Sequence, residues 1–158
     1  MKIVVMEYSD IEKQKDLTFF INIIYNNFIE FANDYKLMHS KEKIEEGLRK
    51  EGSIIILLMN DLNKIIGFST GNIMVLDDHR KVLHVSYIYV AESERDKKLG
   101  AMLLAETEKI AYINKCIGIT LIFDTHQDKL VRFYENRGYM LDINLRRYER
   151  YDVFYKIL

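Results

Sequence analysis

The sequence predicts an α/β (α+β) fold: a mixed, mostly antiparallel sheet flanked by helices. Strand-like runs and amphipathic runs alternate in the order β-α-α-β-β-β-α-β-α-β-β. Three of the strand runs follow one another across short polar turns, the connection that antiparallel neighbours use. Later, strand, helix and strand succeed one another, and a parallel pair needs such a crossover. One domain over residues 1–158 holds all of this, because a chain of that length can bury a sizeable core.

Lys2 to Tyr8 reads as the first strand. Ser9 and Glu12 stand at capping-box spacing and predict a helix start. Leu17, Phe20, Ile21, Ile24, Tyr25, Phe28 and Phe31 or Ala32 then recur at three- and four-residue steps, so the helix is amphipathic and ends near Asn33. Ser40 caps a short second helix, Lys41 to Lys50, with Ile44 and Leu48 inward and Gly52 as its stop.

Ser53 to Met59 is an apolar run of strand length, and Asn60 to Asn63 has turn chemistry. Lys64 to Leu76 is a long strand in which Gly67 and Gly71 mark bends or close approaches. After the Asp77–Arg80 turn, Lys81 to Ala91 returns. A helix runs to about Asn114, and Ile117 to Phe123 is a strand. Asp124 or Thr125 caps a helix from Gln127 to Arg137, closed by Gly138. Tyr139 to Leu145 and Tyr151 to Ile157 are the closing strands.

The bulk properties exclude several classes. A net charge of −1 gives no general attraction to nucleic acid. The single cysteine, Cys116, rules out an internal disulfide, and the four histidines show no metal-ligand spacing. MKIVVMEYSD lacks the apolar stretch of a signal peptide, and no apolar run is long enough to span a bilayer, so no membrane partner and a cytoplasmic location are expected.

One local feature stands out against this neutral background. Between the Lys81–Ala91 strand and the next helix lie Arg95, Asp96, Lys97, Lys98, Leu99, Gly100 and Ala101. A helix start carries partial positive charge, and cations there cost roughly 0.3–1 kcal/mol each when nothing neutralises them. Such a turn makes sense if an anion sits on the free N–H groups of the helix start. A solvated basic turn is the plain alternative.

Arg95-x-x-Lys98-x-Gly100 resembles motif A of the GNAT superfamily of N-acetyltransferases, Arg/Gln-x-x-Gly-x-Gly/Ala, with Lys98 standing where the family has its first glycine. Phe133-Tyr134-Glu135-Asn136-Arg137-Gly138-Tyr139 is similar to the end of its motif B. The resemblance covers essentially the whole chain. It implies a single N-acetyltransferase domain over 1–158 with acetyl-CoA as co-substrate and no metal. It further implies that Arg95 to Ala101 wrap the pyrophosphate, that Ile88, Tyr89 and Val90 supply backbone groups to pantetheine, and that Gln127 contacts the cofactor. Two strands are implied to splay apart to admit the ligand.

Tyr134 is implied to protonate the departing thiolate, a step suited to a phenol in a dry cleft. A general base that deprotonates the amine is assigned first to His84, with Ser86 ordering water and Glu92 as an alternative base; a half-exposed strand histidine is the competing reading. Phe133 is expected in the core and Cys116 as a buried, inert thiol. The amine acceptor is a small molecule or a protein. Phe28 to Lys50, the Asp77–Arg80 turn and the last strands are expected to select it, with Glu30, Asp34, Asp77 and Asp78 available to a cation. A homodimer is left open. The rival reading is a non-catalytic acyl-CoA-binding or interaction module that keeps the fold.

Overall fold

The computed structural model describes residues 1–35, 40–143 and 151–158, with side chains described except at 29–35 and 151. Its elements in order are β1 (Lys2–Glu7), α1 (Tyr8–Ile11), α2 (Thr18–Tyr35), α3 (Lys41–Leu48), β2 (Ser53–Met59), β3 (Ile65–Val75), β4 (Lys81–Val90), a single 3-10 turn (Glu92–Glu94), α4 (Leu99–Ile113), β5 (Gly118–Asp124), α5 (Asp128–Glu135), β6 (Met140–Leu141) and β7 (Tyr151–Ile157). The strands form one seven-stranded sheet in the order β1-β2-β3-β4-β5-β7-β6. Every neighbouring pair is antiparallel except β4 and β5, which the α4 crossover makes parallel. Among the described residues no helix is long and apolar enough to cross a membrane.

The start of the chain differs from expectation. The capping box is made by Glu7 and Asp10, not by Ser9 and Glu12, and it opens a helix of four residues. The chain then breaks, and the Thr18 N–H is held by Asp16 Oδ1 at 2.8 Å where α2 begins. Burial explains the break. Ile11 and Leu17 are both buried while residues 12–16 are exposed. In one continuous helix those two side chains would point about 120° apart.

The sheet is covered on both faces. Ile54, Ile56 and Leu58 of β2 join Leu83, Val85, Leu103, Leu104, Ile119 and Leu121 on the α4 side. Ile55 and Leu57 of the same strand join Phe20, Ile21, Ile24, Ile44 and Leu48 on the α2–α3 side. That two-sided burial is why β2 reads as a continuous apolar run. Phe154 and Cys116 are buried, and burial pushes the Cys116 thiol up from its ordinary value.

The decisive irregularity lies in β4. Opposite β3 the register steps from Thr70↔Tyr87 to Gly71↔Val85, so Ser86 is an extra residue, a β-bulge. Gly71 is required there, because a Cβ would run into the His84 carbonyl. Pairing of β4 with β5 extends only from Val82↔Gly118 to Val85↔Leu121. Past the bulge, Tyr87 to Val90 stay bonded to β3 and Ile122 to Asp124 to β7, so the parallel pair opens. The bulge also resets the alternation: Leu83 and Val85 face α4 before it, and Ile88 and Val90 after it.

At the other end, β6 has two residues where a strand from Tyr139 to Leu145 is expected; residues 144 and 145 lie outside the described set. Tyr139, fully buried, donates to Glu108 Oε1 at 3.1 Å, and Lys156 Nζ reaches Glu108 Oε2 at 3.0 Å. These contacts tie α4 to the segment after α5 and to β7.

Candidate active site

The loop from β4 to α4 is held in an unusual backbone conformation. Asp96 has φ 65° and Lys98 has φ 62°, both left-handed. A non-glycine residue there costs roughly 1–2 kcal/mol. Lys98, at the position where the motif it resembles has a glycine, thus adopts a left-handed conformation that favours glycine, at an energetic cost. It occupies the N-cap position of α4, yet no side chain caps that helix and its first turn carries no acid. The first N–H groups of α4 are left for a ligand or solvent.

That helix start forms one end of a cleft of about 510 Å³. Of the residues singled out from sequence, Ile88, Tyr89, Val90, Arg95, Asp96, Lys98, Leu99, Gly100, Ala101 and Tyr134 line it. The opened edge of β4 and the turn therefore share one space. The walls also include Glu94, Lys129, Leu130, Phe133 and Arg137, which sequence reasoning did not assign to the site. Phe133, expected in the core, is only partly buried and stands on the cleft wall. It follows Lys129 by four residues on one face of α5, and Arg137, in the turn just past that helix, folds back on it with its guanidinium 3.9 Å from the ring centroid. That basic–aromatic–basic spacing is the signal that could have found them.

Three expected residues lie elsewhere. Lys97 does not line the cleft; its Nζ pairs with Glu94 Oε2 at 2.7 Å. Gln127 is the N-cap residue of α5, with its side-chain amide 3.5 Å from Asp124 Oδ2 and no place in the cleft wall. His84 lies in the paired part of β4 on the α2–α3 side of the sheet, with Nδ1 2.8 Å from Thr120 Oγ1. Ser86, two residues on, lines a smaller cavity of about 160 Å³ on that side, with Thr70, Asn72 and Tyr87.

Tyr134 is 5% exposed. Its ring packs 4.6 Å from Phe123, beside the opening in the sheet, and 5.8 Å from Tyr139. Burial pushes its phenol up to about 12. The hydroxyl therefore stays protonated across the neutral range and can act only as a donor of its proton there. Among the described residues it has no hydrogen-bond partner.

Cations outnumber carboxylates in the cleft. Among the described residues Arg95, Lys98, Lys129 and Arg137 line it and form no ion pair; of the two acids on its wall, Glu94 is engaged by Lys97 and Asp96 is not. Arg95 is steadied by a 3.2 Å bond from Nε to the Val90 carbonyl. Asp78 is bound to Arg80 at 2.7 Å, which holds its carboxyl below the usual range. The side chains of Glu30 and Asp34 lie outside the described set, as does His39. Among the described residues no group of three His, Cys, Asp or Glu side chains could hold a metal ion.

These features define a class: an α/β protein whose parallel strand pair opens beside an uncapped, cation-rimmed helix start. The family model for the acetyltransferase (GNAT) family matches residues 19–139, and the chain belongs to that family. Its chemistry is acyl transfer. Solved structures agree at the level of fold. PaiA N-acetyltransferase from Thermoplasma acidophilum, in complex with coenzyme A, superposes with a TM-score of 0.69 at 17% identity, covering 100% of both chains. A GNAT-family acetyltransferase from Staphylococcus aureus gives 0.68 at 17% identity over 99% of each. The NatC complex bound to Gag peptide and CoA gives 0.70 at 16%, over 100% of this chain and 99% of that one. Among curated proteins, none matches this sequence.

Proposed function

We propose that this chain transfers an acetyl group from acetyl-CoA to a primary amine by direct attack, with no acyl-enzyme. The observation that carries the reading is the convergence of three features on one cleft. They are the unpaired edge of β4, the uncapped start of α4 and the buried phenol of Tyr134. The N–H groups of Leu99, Gly100 and Ala101, with Arg95 and Lys98, suit a diphosphate. The β4 edge from Ile88 to Val90 suits an extended amide-bearing arm, which can pair as another strand would.

The gap between β4 and β5 joins the two faces of the sheet. An amine arriving from the α2–α3 side meets His84 and Ser86 at the mouth of that gap. In this reading His84 takes the proton from the attacking ammonium through a water, since imidazole accepts protons near neutral pH. The neutral amine adds to the thioester carbonyl, the C–S bond breaks, and Tyr134 gives its proton to the departing sulfur. Desolvation raises the thiolate's proton affinity as it raises the phenol's, so the transfer is less uphill than it would be in water.

The acceptor is a small-molecule or peptide amine, and a cytoplasmic setting fits the cofactor. Incubation with acetyl-CoA and a panel of amines, read by release of free thiol, tests the proposal. Amine-dependent release supports it. A raised melting temperature with acetyl-CoA but no release with any amine would leave a CoA-binding module instead.

A further inference from the structure

We infer that the small cavity between α3 and the bulged part of the sheet seats the body of the acceptor, and that the acceptor is an amino alcohol: a primary amine carrying an uncharged hydroxyl group. This names the acceptor class for the N-acetyltransferase reading and rests on it.

The cavity is placed for the role. It is lined by Gly71 and Ser86, where β4 bulges, and the pairing of β4 with β5 ends one residue earlier, at Val85↔Leu121. A group held there borders the gap in the sheet. Gly47, in the last turn of α3, also lines the cavity, and a Cβ on it would meet nothing within 4 Å. Among the described residues the glycines with positive φ are Gly52 and Gly138, so Gly47 is not left-handed. After proline, glycine is the poorest helix former. Neither crowding nor backbone geometry calls for it at this position, but its missing side chain leaves room in the cavity. Thr70 supplies a third feature. It is 3% exposed, and its Oγ1 has no hydrogen-bond partner among the described residues. A buried hydroxyl left unpaired is costly. Thr70 lines the cavity, so a turn about χ1 gives that hydroxyl to a ligand with no existing bond lost.

The chemistry of the walls selects what fits. Asn72 Nδ2 donates to the Gly47 carbonyl at 3.4 Å and to Ser53 Oγ at 2.9 Å, which leaves Oδ1 as an acceptor. Ser86 adds a second hydroxyl, and Ile44 and Leu48 add apolar surface. Among the described residues no carboxylate lines the cavity, so a second ammonium finds no partner there. Lys43 is on the wall, but its ammonium pairs with Glu46 at 3.3 Å, and both side chains are exposed. A hydroxyl donates and accepts through one atom, which matches Thr70, Ser86 and Asn72 together. The volume is about 160 Å³, and a cavity of about 150 Å³ holds a benzene-sized group, so the body spans only a few carbons.

The test is amine-dependent thiol release from acetyl-CoA with four series of two to five carbons: amino alcohols, plain alkylamines, diamines and terminal amino acids. The wild type should favour an amino alcohol over the alkylamine of equal length by roughly five- to tenfold in kcat/KM, about the worth of one neutral hydrogen bond. Thr70→Val keeps the side-chain shape and removes the hydroxyl; it should erase most of that preference without lowering the melting temperature. Gly47→Ala should raise the melting temperature by roughly 1–3 °C, as a better helix former. It should also raise KM for the amino alcohol several-fold while KM for acetyl-CoA stays unchanged. Equal kcat/KM for amino alcohols and alkylamines at every length, or a preference for diamines or amino acids, would overturn the acceptor class and leave the transferase reading intact. No release with any amine would overturn both. If Thr70→Val fails to fold, Gly47→Ala must still separate the two KM values; an unchanged KM for the amino alcohol there would count against the cavity.

Discussion

Lys98 gives the sharpest separation of stability from binding. Its left-handed backbone costs roughly 1–2 kcal/mol relative to a residue without a Cβ. Glycine relieves that strain but adds freedom to the unfolded chain, which takes back about 0.4–1 kcal/mol. Lys98→Gly should therefore stabilise the protein by about 0.5–1 kcal/mol. For a domain of this size that raises the melting temperature by roughly 1–4 °C. The same change removes one unpaired cation from the cleft. Because Lys98 is exposed, CoA affinity should fall only about two- to fivefold, the scale of a solvated charge contact. Lys98→Ala should lose the same affinity with no gain in melting temperature. Differential scanning calorimetry and calorimetric titration of the three proteins measure both quantities. If Lys98→Gly melts no higher than Lys98→Ala, the strain argument is wrong. If neither variant loses affinity, Lys98 does not face the bound anion.

Three further outcomes follow from the same geometry. Tyr134→Phe should lower kcat by about 10²–10⁴ with little change in the Michaelis constant for acetyl-CoA; because burial raises the phenol above its unfolded value, its stability contribution is intact below pH ~10 and fades between ~10 and about 12, a decline that the variant should reduce. Arg95→Ala should raise the Michaelis constant for acetyl-CoA several-fold by steady-state kinetics, whereas Lys97→Ala, whose partner is Glu94 and which lies off the cleft wall, should change it by less than about twofold. Gly71→Ala should destabilise the protein by about 1–3 kcal/mol in urea, because its Cβ would meet the His84 carbonyl where the strands begin to part; an unchanged midpoint would mean that the bulge tolerates a side chain.

Sequence carried much of the fold because its strongest signals are local. The Ser53–Met59 run matches β2, and the Ser40 cap accepts from the Lys43 N–H at 3.1 Å at the start of α3. Both follow from residue chemistry within one element. The opening of β4 from β5 was not readable, because Ser86 is an ordinary strand residue and the bulge exists only in its register with β3. The break before α2 was hidden because Ser9 and Glu12 offer a plausible capping box only two residues past the real one, with nothing between them and Leu17 to announce a stop. At the site, the turn was legible through its charge at a helix start. The α5 wall was missed because Phe133, read from its spacing with Leu130, looked like core. The direction of the Lys97 and Gln127 side chains depends on Glu94 and Asp124, which no spacing rule announces.

The most direct measurement is a crystal structure of the protein with acetyl-CoA. The diphosphate should rest on the N–H groups of Leu99 to Ala101, the amide-bearing arm along β4 beyond the Ser86 bulge, and the sulfur within hydrogen-bond reach of the Tyr134 hydroxyl. A thioester bound away from the opened β4–β5 pair, or lying there with its sulfur remote from Tyr134, would contradict the proposed chemistry.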